Sequence, residues 1–383
     1  MDNLRMLFFS AKYGAGHVKA AEALIEVVKD TEPSARIAHL DFEQFMNSKL
    51  NTVVKSAYLE VMKHTPSLWG KFYYGSSQMS PDSIYQRFVN RIGRTELAKY
   101  VHSFKPDIIV CTYPIVSGIL AQLKVDQAVD IPLVTVVTDY TVHSQWIHRG
   151  VDLYIVGNND VYDGLKQRGI EPGRIKVTGI PVSKKFEHKS DRRTVLAKLG
   201  LDDERMTFLV MGGAYGVLDS IKKICQVIAE SPNNWQAIVV CGENKKLYDS
   251  LGSVIGTVPN PIARCGFVDN VDELMSAADL LITKAGGLTV SEALTQRLPQ
   301  VIFKPNPGQE LENANFLTHC GAAQVVDTIE DLANSLTGFA RSPEKLAQMR
   351  SAAAHAIPEH ASVQAVKNIL QLAGKDESEQ KTG

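Results

Sequence analysis

The stretch Thr283-Lys284-Ala285-Gly286-Gly287-Leu288-Thr289-Val290-Ser291-Glu292-Ala293-Leu294 decides the fold. It follows an apolar run, residues 279–283, that reads as a buried strand. Residues 289–295 make a good opening helical turn. The order is therefore strand, glycine-rich turn, helix start. A helix N-terminus presents backbone N–H groups without intrahelical partners and a partial positive charge. Gly286 and Gly287 let an anionic group approach those amides with no Cβ in the way. Proteins hold phosphates in this manner. Glu292 falls about one turn into the helix, where a carboxylate can accept from a ribose diol. The element reads as a cradle for a nucleotide diphosphate. Taken alone, a Gly-Gly pair before a helix fits an ordinary strand-to-helix connection better, so the remainder of the chain has to decide.

The chain has 383 residues, which at ~100–200 residues per domain predicts two domains. Hydrophobic content of 44% and charged content of 22% are those of a water-soluble globular protein. A net charge of −1 gives no reason to expect nucleic acid as a partner. The five cysteines, 111, 225, 241, 265 and 320, are odd in number and form no Cys-x-x-Cys. Neither a disulfide framework nor a zinc site is indicated, and a reducing compartment is favoured. Residues 6–10 are too short for a signal-peptide core, and no apolar run approaches the ~18–20 residues that span a bilayer. The expected location is the cytoplasm, with any membrane attachment peripheral.

Residues 4–10 read as a strand and 18–30 as a helix with apolar Ala20, Ala21, Leu24, Ile25 and Val28. Between them lies Gly14-Ala15-Gly16-His17. This is the opening of a doubly wound α/β domain, although Lys19-Ala20 stands where a dinucleotide fingerprint would carry its third glycine. Strands are expected at 37–41, 106–112, 131–138, 152–156 and 175–178. The run 131–138 is apolar enough for a strand buried on both faces. It ends in Asp139, with His143, Trp146 and His148 close behind. Ligands bind at the C-terminal ends of strands in open α/β sheets, so Asp139 and both histidines are site candidates.

Residues 47–102 interrupt the α/β rhythm. They carry eight Lys/Arg against three acids, and eight aromatics that include Trp69, Phe72 and Tyr73 beside Lys71. Val53-Val54, Ala57-Tyr58 and Val61-Met62 recur at near-helical spacing. Cationic and aromatic side chains interleaved on an amphipathic element suit an anionic membrane surface. The other reading is a helical insertion whose aromatics pack on their own domain.

The pattern restarts after a linker at 181–186. A strand at 206–211 runs into Gly212-Gly213-Ala214-Tyr215-Gly216, a second phosphate-friendly loop. Phe267-Val268 could flank a base. After a strand at 300–303 comes a polar cluster of Gln309, Glu310 and Asn313. With the opening stretch, these supply places for diphosphate, ribose and a sugar. Two such α/β domains imply a cleft, a common small-molecule site. If the reaction is glycosyl transfer, the acceptor hydroxyl must lose a proton, and His17 and Asp139 are the candidate bases. Helix N-termini and backbone amides would stabilise the leaving diphosphate. No Asp-x-Asp occurs, so no metal-chelating carboxylate pair is expected, and no cofactor.

Together these motifs resemble the MGDG synthase and processive diacylglycerol glucosyltransferase family, distantly related to the glycosyltransferase that makes lipid II. The resemblance spans most of residues 4–372. It rests on Gly14 to Ala21, Thr138-Asp139-Tyr140-Thr141-Val142-His143-Ser144 with Trp146, Thr178 to Val182, Gly212-Gly213-Ala214, the opening stretch, and Pro307-Gly308-Gln309-Glu310 with Asn313. Ala285 departs from the Pro found in many relatives. The resemblance implies an α/β fold of two Rossmann-like domains facing a cleft, the GT-B fold. It implies an inverting hexosyltransferase with a UDP-hexose donor and a diacylglycerol acceptor at the inner face of the cell membrane. By position, Glu292 would bind ribose, Gly287, Leu288 and Thr289 the diphosphate, and Gln309 and Glu310 the hexose. His17 would be the base or its essential partner, with Trp69, Lys71, Phe72, Tyr73, Gly14, Gly16 and Trp146 on the acceptor and membrane side. The expected boundaries are 1–180 for the first domain, 187–372 for the second with its closing helix, and a disordered tail at 373–383. Glucose is the expected sugar, because the short N-terminus looks like the bacterial members. Galactose transfer, an undecaprenyl-linked or soluble acceptor, a UDP-sugar 2-epimerase and a UDP-sugar-binding protein are the alternatives.

Overall fold

A computed structural model describes residues 3–12, 15–45, 65–77, 90–212, 218–255 and 259–374, with Met79, Ser83 and Gln86. Gly14, Gly213 and the Val53–Met62 pattern therefore lie outside the described residues, as does most of the expected tail. The chain forms two compact units: Met1–Lys184 with Pro307–Gln309 and Pro358–Gly383, and Lys185–Asn306 with Glu310–Ile357.

Unit 1 contains β1 (Arg5–Ser10), α1 (Ala15–Thr31), β2 (Arg36–Asp41), α2 (Pro66–Ser77), α3 (Arg94–Phe104) and β3 (Ile108–Cys111). It continues with α4 (Pro114–Val125), β4 (Leu133–Val136), β5 (Leu153–Val156), α5 (Asn159–Gln167) and β6 (Ile175–Val177). Its sheet is parallel, in the order β2-β1-β3-β4-β5-β6. β3, β4 and β5 are buried along their whole length, which explains their continuous apolar sequence. α1 buries Ala20, Ala21, Leu24, Ile25 and Val28, the stripe that its periodicity predicts.

Unit 2 contains α6 (Arg192–Lys198), β7 (Met206–Met211), α7 (Leu218–Ala229), β8 (Trp235–Val240), α8 (Lys245–Ser250), β9 (Ile262–Cys265) and α9 (Val271–Ala277). β10 (Leu280–Thr283), α10 (Gly287–Thr295), β11 (Gln300–Phe303), α11 (Gln309–His319), β12 (Ala323–Val326), α12 (Ile329–Arg341) and α13 (Pro343–Ala356) follow. The strands are parallel in the order β12-β11-β10-β7-β8-β9, the doubly wound arrangement of a Rossmann unit. Separate apolar clusters cover the two faces of this sheet.

Three differences from the sequence expectation have physical reasons. The last helix, α14 (Ala361–Leu372), belongs to unit 1, not to the second domain. Its Ala365, Val366, Ile369 and Leu370 share one core with Met6, Phe8, Leu24 and Val28. α8 has no counterpart in the expectation, because its one buried residue, Leu247, leaves no periodicity to read. Both glycine-led helices begin two to three residues early, so Gly16 and His17 lie in the first turn of α1, and Gly287, Leu288 and Thr289 in the first turn of α10.

Candidate active site

In unit 1 the chain runs from β1 to the outer strand β2 and then returns to β3 on the other side of β1. The point between β1 and β3 is thus a topological switch, where an open α/β sheet leaves a crevice beyond its strand ends. His17 follows β1 at this place. Thr112 follows β3, and its hydroxyl donates to the carbonyl of His17 at 2.8 Å and to that of Phe9 at 3.3 Å. Thr138 follows β4, the next strand. Its Oγ1 lies 3.0 Å from His17 Nδ1. The imidazole also meets Tyr113 edge-on, ring centres 5.1 Å apart, and lies 6.3 Å from the Trp146 ring. Burial lowers the His17 pKa to about 4, against a smaller upward effect of a hydrogen bond to the Thr112 backbone. The ring is therefore neutral at pH 7 and able to accept a proton.

Asp139 is only 7% exposed. Burial raises its pKa to about 6, while hydrogen bonds from Gln309 and Trp146 act in the opposite direction. Trp146 Nε1 donates to Oδ2 at 3.3 Å, and Gln309 Nε2 donates to Oδ1. As a proton acceptor Asp139 has the better-matched pKa, whereas His17 offers a neutral ring whose polar partners are Thr138 Oγ1 and the Thr112 backbone.

The two other histidines of this region serve structure. His143 Nδ1 accepts from the Gln145 N–H at 3.2 Å, so its proton sits on Nε2, which reaches the Tyr73 carbonyl at 3.2 Å and Ser76 Oγ at 3.1 Å. Ser144 Oγ donates to the Ser76 carbonyl at 2.7 Å. These bonds tie α2 to the 144–146 turn. His148 is locked by Gln145 and by two bonds with Tyr154. With one face of α2 so engaged, Leu68 and Phe72 stand 56% and 46% exposed, with Lys71 exposed beside them. Trp69, whose ring centre lies 5.8 Å from that of Phe72, and Tyr73 meet Gly308, whose φ is 97° and where an added Cβ would come 3.0 Å from the Tyr73 ring.

In unit 2 the switch point lies between β7 and β10, the strands that feed the two glycine loops. Thr283 Oγ1 donates to the Met211 carbonyl at 2.8 Å and pins the two strand ends together. Asn313 Nδ2 donates to the Ala285 carbonyl at 3.0 Å and holds the turn from below. The first intrahelical bond of α10 runs from the Val290 N–H to the Gly286 carbonyl at 3.1 Å. The N–H groups of Gly287, Leu288 and Thr289 precede it, so they are the helix's free donors. Gly286 has φ −70° and ψ 128°, and its Cβ direction is open for 4 Å. Neither its backbone angles nor packing against the described residues requires a glycine there; the position is a helix N-cap, which favours Gly over Ala, and it leaves the helix start open to a ligand. Glu292 is half-buried one turn further on. Glu310 Oε2 accepts from the Asn306 N–H at 2.9 Å and lies 3.8 Å from Lys284 Nζ. Phe267, 73% exposed, and half-buried Val268 follow β9. Gly212 follows β7, and the described part of its loop stops there.

Sequence reasoning named His17, Asp139, Trp146, Asn313 and the α10 turn, but gave Thr112, Thr138 and Lys284 no role of their own. A hydroxyl residue just beyond β3 and another just beyond β4, the two strands that follow β1 in the sheet, are a readable signal for the threonines once the strand order is known.

Two parallel Rossmann-like units, one with an anion-ready helix start at its switch point and the other with a neutral histidine at its own, define a glycosyltransferase of the GT-B class. The structure resembles that of Acinetobacter baumannii MurG at a TM-score of 0.63 and 16% identity, covering 97% of this chain and 100% of that one. It also resembles a Listeria monocytogenes protein described as a putative UDP-N-acetylglucosamine 2-epimerase, at a TM-score of 0.65 and 13% identity, covering 98% of each. Residues 17–182 match the monogalactosyldiacylglycerol (MGDG) synthase family, and residues 207–370 the glycosyltransferase family 28 C-terminal domain. The processive diacylglycerol beta-glucosyltransferase of Bacillus pumilus is 31% identical over 96% of this chain and 95% of its own. That of Bacillus cereus is 33% identical over 92% and 89%. The chain belongs to this family of diacylglycerol glycosyltransferases.

No helix among the described residues is long and apolar enough to cross a membrane.

Proposed function

We propose that the protein transfers glucose from UDP-glucose to the 3-hydroxyl of 1,2-diacylglycerol, with inversion at the anomeric carbon, at the inner face of the cell membrane. The observation that carries this reading is the near full-length similarity to processive diacylglycerol beta-glucosyltransferases. The acceptor oxygen forms a bond to the anomeric carbon as the bond from that carbon to the β-phosphate oxygen breaks. The hydroxyl proton passes to the His17 imidazole, and Asp139 stabilises the imidazolium. The electron pair of the broken bond leaves on UDP. The amides of Gly287, Leu288 and Thr289 meet the diphosphate, acting where negative charge develops. Glu292 accepts from the ribose hydroxyls, Gln309 and Glu310 from the hexose, and Phe267 and Val268 flank the uracil. No resident metal takes part, which the lack of any Asp-x-Asp supports. The exposed Leu68, Lys71 and Phe72 of α2 enter an anionic bilayer surface and give access to the acceptor.

The test is a donor and acceptor screen with purified protein. UDP release from UDP-glucose is expected only with diacylglycerol vesicles, with the products being one or more sugars on the lipid. Preference for UDP-galactose would correct the sugar. Activity with an undecaprenyl-linked or soluble acceptor and not with diacylglycerol would overturn the acceptor. Acceptor-free conversion of the donor would indicate an epimerase.

A further inference from the structure

We infer that Thr138 is a positioning residue of the reaction, holding the His17 imidazole in the orientation from which it takes the acceptor's proton. The inference deepens the proposed function and rests on its reading of His17 as the proton acceptor. The backbone of His17 is fixed independently of the ring. Its carbonyl accepts from Thr112 Oγ1, and Thr112 is fully buried at the end of β3. That leaves rotation of the side chain. Tyr113 and Trp146 flank the ring but supply no polar bond to it. Among the described residues the ring has two polar partners, the Thr112 backbone and, as the one side chain, Thr138 Oγ1 at 3.0 Å from Nδ1.

Thr138 is itself immobile, being 4% exposed beyond the end of β4. A threonine has a stiff χ1, so the hydroxyl sits at a set point on rigid scaffold. With the ring turned away from Thr138, the base is misplaced although every residue is still present. Asp139, next in sequence, has both oxygens occupied by Trp146 and Gln309, so Thr138 fills a place that the carboxylate does not.

The experiment compares Thr138→Val, Thr138→Ser and Thr138→Ala with His17→Ala and with the double variant His17→Ala/Thr138→Val. Initial rates use UDP-glucose and diacylglycerol vesicles, and UDP affinity is measured by calorimetry. Valine keeps the shape without the hydroxyl, and alanine guards against misfolding of the valine variant. Valine and alanine are expected to lower kcat about 10- to 100-fold, the scale set by loss of orientation. KM for donor and UDP affinity should stay within about twofold of wild type. Serine should restore most of the rate. In the His17→Ala background, residual turnover should not fall further when Thr138→Val is added, because residues acting through one group are not additive. A near-normal kcat for both Thr138→Val and Thr138→Ala, with His17→Ala strongly impaired, would overturn the inference and leave the His17 reading standing. An equal further loss in the double variant would show that Thr138 acts by another route, and also overturns it. Near-normal turnover of His17→Ala removes the His17 reading itself, and the role of Thr138 with it.

Discussion

Asp139 shows how a single side chain carries both history and chemistry. Burial raises its pKa from 3.8 to about 6. The folded state therefore binds one more proton than the unfolded state between those values. The stabilising effect of this proton is complete below about pH 4 and is lost as pH rises through about 6. At pH 7 and above, the buried carboxylate weakens the fold relative to a neutral group of the same shape. Asp139→Asn is expected to unfold at a higher temperature than wild type above pH 6.5, by several degrees. The difference should shrink to nothing near pH 4. Thermal scans from pH 4 to 8 test this, and an offset constant with pH would refute the assignment of burial as the cause. At this scale the sequence was informative where chemistry sits beside a glycine, as in Gly16-His17. It was silent on Thr138 as the partner of His17, because 121 residues separate them and no local pattern links two strand ends.

For the elements, α10 was legible almost in full. A buried strand, two glycines and a carboxylate one turn later form a local pattern, and local patterns survive without tertiary context. The open space at Gly286 leads to a clear expectation. Gly286→Ala fits the backbone and meets no atom of the described residues within 4 Å, so Tm should change by no more than a few degrees, the N-cap preference for Gly over Ala being about 1 kcal/mol. UDP binding should weaken by about tenfold or more, because the added methyl stands where the diphosphate comes to the amides. Unchanged UDP affinity by calorimetry would move the diphosphate away from this turn. α2 was less legible. Its aromatics occur on both faces, and the sequence offered a packed helix or a membrane-facing one. The structure divides them: Tyr73 and Ser76 meet His143, while Leu68 and Phe72 face solvent. Leu68→Glu with Phe72→Glu is expected to reduce sedimentation with anionic vesicles about 10- to 100-fold, since each side chain contributes on the order of 1 kcal/mol or more on leaving water. UDP affinity should be unaffected. Full retention of vesicle binding would remove α2 from the membrane surface.

Across the whole molecule, α14 completes unit 1 although it is the last described element of the chain. It packs against α1 and shares the core of β1. The lost burial of Val366, Ile369 and Leu370 amounts to roughly 5–9 kcal/mol at about 1.5–3 kcal/mol each, comparable to the ~5–15 kcal/mol that stabilises a typical domain. A chain ending at Ile357 is therefore expected to lose unit 1 to limited proteolysis, while the 185–357 region, whose cores lack α14, resists. Equal resistance of both units would contradict this account. The same helix marks the boundary between what sequence and tertiary structure decided. By itself the sequence determined the α/β class, the two Rossmann-like restarts, the glycine-led helix start at Gly286-Gly287 proposed as the phosphate cradle, and the candidate base His17. All of these are written in contiguous residues, through hydrophobic period, glycine placement and helix-start chemistry. Only the tertiary structure decided that α14 closes the first unit, that the 144–146 turn holds α2, and that Thr112 and Thr138 hold His17. Those facts depend on which strand lies beside which, and strand order is set by long-range packing that no local stretch encodes.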